Sequence, residues 1–417
     1  MNINLKINKQ LFKNELLVKI SFYIQIVVAL FLLFIYTNYN PAFMQLIKYK
    51  NIHMLYISVT ILAYCYFKFF LKVLKRQIYF KKNILLIFFL FYCGLTILFS
   101  EIKGDASKNY IYLLAITSYF GLLASELKLK QLIDLFFIFF NINIVLNIFI
   151  SIVLPNITIA DDMRYNNSLQ GIFGHRNIFA IYIIFAIFFN LIKSKDFNKK
   201  YIIYIWNIIC IYYLYRTRSV TGIIVVLFCF IMYKFFLKRK SFNLFAYAYL
   251  FYIFVNFMLF NGLTDNSFIS SALGKLLGRG GNLTGRTDIW SFCTKYIMIN
   301  PIWGYGFSSF FPTHQQAIPN TWLNSVAHAH NLILEQLLEL GVVGLIIFLL
   351  LLLDILWKFY NLKNREGTIF ILMLLSMLIF NISEPLFYNV LGIVIPWVVF
   401  ITIYININYM KKKKIDK

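Results

Sequence analysis

The chain has 417 residues, of which 61% are hydrophobic, 19% aromatic and only 13% charged. Soluble globular domains carry about 45–50% apolar residues and about a quarter charged ones, so an architecture of apolar core and water-facing surface is excluded. The formal charge of +24 would suit nucleic-acid binding, but the lysines and arginines stand in short clusters between apolar runs, without a basic stripe or a nucleic-acid motif. No nucleic-acid partner is expected.

Apolar runs place helices near 16–36, 54–72, 83–100, 110–124, 132–154, 178–192, 201–215, 219–237 and 243–262, and, after a long polar break, near 332–357, 368–387 and 390–410. Runs such as NILLIFFLFYCGLTILFS from Asn83 and LIDLFFIFFNINIVLNIFISIVL from Leu132 approach or exceed the ~20 apolar residues that cross ~30 Å of hydrocarbon. A backbone in lipid must satisfy its own hydrogen bonds, so these runs are helices. The alternation of a membrane barrel is absent. The expected fold class is an all-α polytopic membrane protein with about twelve transmembrane helices, a single integral membrane domain over 1–417. The first run follows a basic N-terminus without a convincing small-residue cleavage site and reads as a retained helix. Four of the five cysteines (Cys65, Cys93, Cys210, Cys229 and Cys293) lie in apolar runs and none forms C-x-x-C. Buried thiols are expected rather than disulfides or metal ligands.

The cations orient the chain. With the N-terminus cytoplasmic, the inside segments hold Lys6, Lys9 and Lys13, then Lys72 to Lys82, Lys128 and Lys130, Lys193 to Lys200, Lys238 to Lys240, Lys358 to Arg365, and the KKKKIDK tail. They are several times denser in Lys and Arg than the outside segments, which by the positive-inside rule places both termini in the cytoplasm of a bacterial inner membrane. The longest polar stretch, 263–331, then forms one large periplasmic loop between helices 9 and 10, and a second outward loop covers about 155–177.

Polar residues at the outward helix ends are the candidates for chemistry, because charge is costly in lipid. Four clusters stand there: GIFGHRN (Gly171 to Asn177), RTRSVTG (Arg216 to Gly222), GRGGNLTGRTDIW (Gly278 to Trp290) and HAHNLILEQLLELGVVG (His328 to Gly344). In the last, His330 and Asn331 open a helix whose apolar positions Leu334, Leu337, Leu338 and Val342 recur at helical spacing. A histidine at that surface can accept a proton from a sugar hydroxyl, or it can simply cap the loop. Gly341 and Gly344 allow a close neighbour or a bend. His328 and His330 are two apart, which on a helix points them to different sides, and no H-E-x-x-H or Cys/His pair accompanies them, so no metal site is expected. Arg279 and Arg286 lie among Gly278, Gly280, Gly281 and Gly285, where guanidinium groups and backbone amides can approach an anion. The same glycines also suit a merely flexible loop. Arg216 and Arg218 can serve an anion likewise or only mark an interface.

Together these residues resemble the O-antigen ligase/polymerase family of membrane glycosyltransferases. Three signatures come in order between about Arg216 and Gly344: SVTG opening a helix, GRTDIW followed by NPIWGYGFSSF, and HN-x9-G-x-x-G from His330. GIFGHRN resembles a further His/Pro-Asn feature. The resemblance implies metal-independent, cofactor-free transfer of a glycan from undecaprenyl pyrophosphate, within lipopolysaccharide biosynthesis, at the periplasmic face. The acceptor would be a hydroxyl of the lipid A core, or of a second lipid-linked glycan if the protein is a repeat-unit polymerase. It implies that His330 is the general base and that Arg286 serves beside it, while Arg218, Arg216, Arg279, Asn331 and His175 contribute to substrate binding. Family members often carry Arg directly after the Ser of the SVTG turn; here Val220 stands there, so Arg218 or Arg216 would substitute. A lipid-linked sugar flippase is the alternative from another class, but midplane polar sites and related halves, as transporters show, are not evident.

The orientation is open to labelling with a membrane-impermeant thiol reagent in cells with a permeabilised outer membrane. Asn320→Cys should be labelled with the inner membrane intact, and Lys6→Cys and Lys414→Cys only after it is opened. The opposite pattern would invert the topology.

Overall fold

The computed structural model describes residues 71, 83–160, 167–239, 242–262, 286–314, 326–362 and 364–382, and the regular elements among them are helical. Besides single turns over Pro155–Thr158 and Gly171–Phe173, they are α1 (Ile84–Thr96, prolonged by a 3-10 turn over Ile97–Phe99), α2 (Lys103–Glu126), α3 (Leu129–Val153), α4 (Arg176–Lys193), α5 (Lys200–Arg216), α6 (Val220–Arg239), α7 (Phe242–Gly262), α8 (Arg286–Ile299), the five-residue α9 (Phe310–His314), α10 (Leu332–Tyr360) and α11 (Arg365–Phe380). The runs expected near 16–36, 54–72 and 390–410, the lysine tail and most of the 263–331 loop lie outside the described residues. Helices α3, α4 and α10 are long and apolar enough to cross a membrane, and Ile84–Phe99, Val220–Phe235 and Phe242–Phe257 are shorter apolar helices. The helix expected over 110–124 starts earlier, at Lys103, because its polar first turn carries Asp105 where the helix dipole favours a negative charge.

Helix α4 is the centre of the bundle. It packs against α3, α5, α6 and α11, and every residue from Phe179 to Ala186 is buried. Phe189 stacks on Phe136 and Phe140 of α3, each pair with ring centroids 5.5 Å apart. Lipid is as apolar as these side chains, so packing and interhelical hydrogen bonds, rather than hydrophobic exclusion, hold such helices together. An asparagine chain supplies the bonds. Asn141 of α3 donates to Asn190 Oδ1 of α4 at 2.9 Å, Asn190 donates to Asn207 Oδ1 of α5 at 2.8 Å, and Trp206 Nε1 returns to Asn141 Oδ1 at 2.6 Å.

Ion pairs mark one end of the bundle. Lys193 bonds Asp134 at 2.5 Å and Asp196 at 2.6 Å, Lys130 approaches Asp196 at 3.7 Å, and Lys195 approaches Glu366 at 3.9 Å. The segments 128–134, 193–196 and 365–366, all read as lying on one side from their lysines, therefore meet. Lys193 is the main reason that the Asp196 carboxyl lies below its usual range.

At the opposite end the longest helix is broken. Gly341 has φ 64° and ψ −171° inside α10, so residues 332–340 and 342–360 form two helical segments. The second alone covers about 28 Å at ~1.5 Å per residue, close to the ~30 Å hydrocarbon thickness. The backbone groups freed by the break are taken up by the NPIWGYG segment. Tyr305 N–H donates to the Leu338 carbonyl (2.8 Å) and Gly306 N–H to the Glu339 carbonyl (2.9 Å), while Val342 N–H donates to the Pro301 carbonyl (2.8 Å). The Tyr92 hydroxyl of α1 completes the set at the Leu340 carbonyl, 3.0 Å away.

Two substitutions test these supports. Asn190→Leu removes the middle of the asparagine chain and should cost about 1–2 kcal/mol, read as a lower thermal midpoint in detergent; an unchanged midpoint would discount the chain. Gly341→Ala forces a side chain into a left-handed residue, worth about 1–3 kcal/mol of strain, and drives its Cβ into the Ile302 carbonyl. It should lower the membrane abundance more than Asn190→Leu does, and a wild-type level would refute the threading of NPIWGYG through the break.

Candidate functional site

Asn331 fixes the start of α10. Its Oδ1 accepts from the amides of Ile333 (2.9 Å) and Leu334 (3.1 Å), two of the donors a helix start leaves unpaired. Its Nδ2 donates to Asn256 Oδ1 of α7 at 2.8 Å and to the Ile382 carbonyl at 3.3 Å. Asn331 is buried, so the residue expected to bind substrate is engaged as a helix cap and a junction of three segments. His330, directly before it, is half-buried with φ 52°, a left-handed conformation uncommon for a residue with a side chain. The expectation that His328 and His330 point to different sides assumed a helix. The segment before α10 is not helical, and the two rings pack edge to face with centroids 4.0 Å apart.

Ala329, the residue between the histidines, is held at both of its backbone polar groups. Ala329 N–H donates to Glu335 Oε2 at 2.6 Å, and its carbonyl accepts from Trp290 Nε1 at 2.8 Å. Trp290 belongs to α8, whose buried face of Ile289, Trp290, Cys293 and Ile297 packs with Leu334, Leu337 and Leu338 of α10. Arg286 is the first residue of α8, four before Trp290 and so on the same helical face. Its turn therefore adjoins the His328–His330 segment. Burial and then Glu335 push the Cys293 thiol well above its ordinary range, which leaves it inert as a nucleophile.

The NPIWGYGFSS segment is tied beside the same half-helix. Ser308 N–H donates to Glu339 Oε2 at 2.8 Å and Asn109 of α2 donates to the Ser308 hydroxyl at 2.7 Å. Thr96 of α1 and Ser100 just beyond its 3-10 extension hold Phe307 and Ser309. Glu335 and Glu339 are one turn apart on α10, both buried, and each accepts one loop amide. Sequence reading passed over both, although charge in an apolar run was the signal.

The GIFGHRN and RTRSVTG clusters, 42 residues apart, meet at a second place. The Ser219 hydroxyl donates to Asn177 Oδ1 at 2.7 Å and also accepts the Gly222 amide at 3.1 Å, which caps α6. Arg176 Nη1 donates to the Arg218 carbonyl at 3.3 Å, and Arg218 is exposed with φ 51°. The starts of α4 and α6 are thus joined, with Arg176 and Arg218 side by side and His175 at the cap position of α4. Arg176 had not been singled out, though it stands within a cluster that had. Arg216 takes a different direction, back along α5 to the Tyr212 hydroxyl at 3.3 Å. Helix α11 relates the two places: it packs against α6, and the carbonyl of Asn381 at its end accepts the Leu332 amide of α10. Arg279 lies outside the described residues. Among the described residues no three His, Cys, Asp or Glu side chains gather as a metal would require.

The match to a known family falls on this same part of the chain. Residues 205–349 match the family model described as O-antigen ligase. A Rickettsia felis protein provisionally named a polysaccharide ligase is 35% identical over 98 residues, which are 22% of this chain and 24% of that one. Similarly named proteins of Rickettsia conorii, 34% identical over 98 residues, and Rickettsia prowazekii, 36% identical over 95 residues, each match over 24% of their own length. The chain therefore spans about a quarter of the length of the curated relatives it matches. The matched segment encloses SVTG, Arg286, the NPIWGYG segment and the HN-x9-G-x-x-G helix, while GIFGHRN lies before it. Over residues 205–349 this membrane protein is similar to the O-antigen ligase family.

Proposed function

We propose that the protein transfers a glycan from undecaprenyl pyrophosphate to an acceptor hydroxyl of the lipid A core at the periplasmic face of the inner membrane, with both termini cytoplasmic. The observation that supports this reading is the convergence at Ala329, where the segment carrying His330 is bonded to α8, the helix that Arg286 opens. His330 takes the proton of the acceptor hydroxyl as its oxygen bonds the anomeric carbon of the donor. The bond from that carbon to the pyrophosphate oxygen breaks, and the diphosphate leaves with an added negative charge. Preorganised guanidinium groups stabilise charge that develops in this way, a role we assign to Arg286, Arg218 and Arg279, with Arg216 at the margin. Asn331 supports the site as the cap of α10, and His175, at the start of α4, is assigned to substrate binding. The chemistry needs no metal ion or cofactor, because a histidine base and arginine clamps supply both the proton transfer and the charge stabilisation.

The names of the Rickettsia relatives favour ligation over polymerisation of repeat units. Deleting the gene separates the two. Long polymer accumulating free of the lipid A core identifies a ligase, and a core bearing a single repeat unit identifies a polymerase.

The site assignments predict two patterns. His330→Ala should lower transfer by about 10²–10⁴-fold, the usual loss on removing a positioned base, at normal membrane abundance. Arg286→Ala should abolish transfer, and Arg286→Lys should restore little, because a point charge cannot reproduce bidentate contact with a phosphate. Full transfer by His330→Ala removes the base, and full transfer by Arg286→Ala removes the clamp.

A further inference from the structure

Glu335 is among the most buried charged side chains of the described residues, with no exposed surface. One carboxylate oxygen accepts the Ala329 amide, and the other, Oε1, has no hydrogen-bond partner among the described residues. Taking a carboxylate out of water is costly unless its hydrogen bonds are made, so a single bond to a loop amide is a poor exchange on stability grounds alone. What the bond does is local. Ala329 lies between His328 and His330, and the two peptide units that flank its Cα are each held, the N–H by Glu335 of α10 and the carbonyl, in the unit shared with His330, by Trp290 of α8. The held Ala329 carbonyl shares one planar peptide unit with the His330 amide, so only the φ and ψ of His330 separate it from the Asn331 amide, and the Asn331 side chain makes four hydrogen bonds, to two amides of the helix start, to Asn256 of α7 and to the Ile382 carbonyl just beyond α11. His330 is therefore suspended between two fixed points, and its left-handed φ of 52° is the conformation that spans them.

We infer that Glu335 is a positioning residue of this site, acting through the Ala329 peptide to hold His330 in its left-handed conformation at the outer foot of α10, with Trp290 as its counterpart on α8. The inference rests on the assignment of His330 as the base. Glu339, the equivalent carboxylate one turn on, holds Ser308 instead, so the two glutamates divide the loop between them. The Glu335 tie governs the histidine and the Glu339 tie governs the plug in the helix break.

The test measures the full-length protein in proteoliposomes, with an undecaprenyl-pyrophosphate-linked O-antigen donor and lipid A core acceptor. Displacing a reacting group by about 1 Å can cost about 100-fold in rate. Glu335→Leu should therefore lower kcat between about tenfold and about 100-fold while leaving the donor KM unchanged. Glu335→Gln, whose amide oxygen can accept the same Ala329 N–H, should recover most of the rate. Trp290→Phe removes the second tie while changing no residue of α10 and keeping an aromatic ring against it, and it should reproduce the kcat-specific loss, so it carries the test if Glu335→Leu does not assemble. Undiminished kcat in assembled Glu335→Leu and in Trp290→Phe overturns the inference, as does a loss confined to KM or one that Glu335→Gln shares in full with a lowered thermal midpoint. His330→Ala is measured alongside. If that variant is active, the functional proposal itself fails; if it is inactive while Glu335→Leu and Trp290→Phe are fully active, only the positioning role fails.

Discussion

A helix in lipid has no water to satisfy its backbone, so any break in it must be filled by protein. The break at Gly341 is the place where this chain meets that constraint. The carbonyls of Leu338, Glu339 and Leu340 and the amide of Val342 are satisfied by Tyr305, Gly306, Tyr92 and Pro301. Filling the break draws the NPIWGYG segment against α10. Phe307 to Ser309 then reach Thr96 of α1, Ser100 just beyond its 3-10 extension and Asn109 of α2. Helix α8, which precedes that segment, is drawn to the N-terminal half of α10, where Trp290 reaches Ala329. The candidate site is thus assembled as a consequence of satisfying a few backbone groups.

The two places where polar residues gather are built from similar parts. Each joins the start of a helix to a neighbouring segment through an amide or hydroxyl side chain: Asn331 to α7 and to Ile382 just beyond α11 in one, Ser219 and Asn177 between α6 and α4 in the other. Each also holds one non-glycine residue in the left-handed region, His330 and Arg218. Such residues persist only where surrounding bonds over-determine them. At each position one neighbour is fixed by a side chain from another helix, Ala329 by Trp290 of α8 and Ser219 by Asn177 of α4, so the strain is carried in part by tertiary structure.

Much of this was legible from the residues. Long apolar runs gave the helices, and the spacing of Leu334, Leu337 and Leu338 marked the buried face of α10, because periodicity reports burial directly. The amphipathic stretch from Arg286 to Asn300-Pro301 became α8 with Arg286 at its first position. Tertiary pairings were less legible. Nothing local in HAHN tells whether two histidines lie on a helix, and the rings proved to be neighbours because the helix starts only after Asn331. Asn331 looked like a binding residue, since a cap and a ligand contact use the same side chain. Arg176, Glu335 and Glu339 gain their meaning from partners 42, 6 and 31 residues away, and only the fold brings those partners into reach.

The filled break also has a consequence for biogenesis. The segment that fills it is made before the helix it repairs, and the two are separated by more than twenty residues of loop. While the loop is undocked, the 332–340 half of α10 presents two carboxylates and a set of unpaired carbonyls, which makes it a poor substrate for lateral release into lipid. Docking of NPIWGYG neutralises these penalties by supplying their donors. The last stage of membrane integration is thereby coupled to correct docking of the NPIWGYG segment, so that a chain whose segment failed to dock would also fail to seat α10.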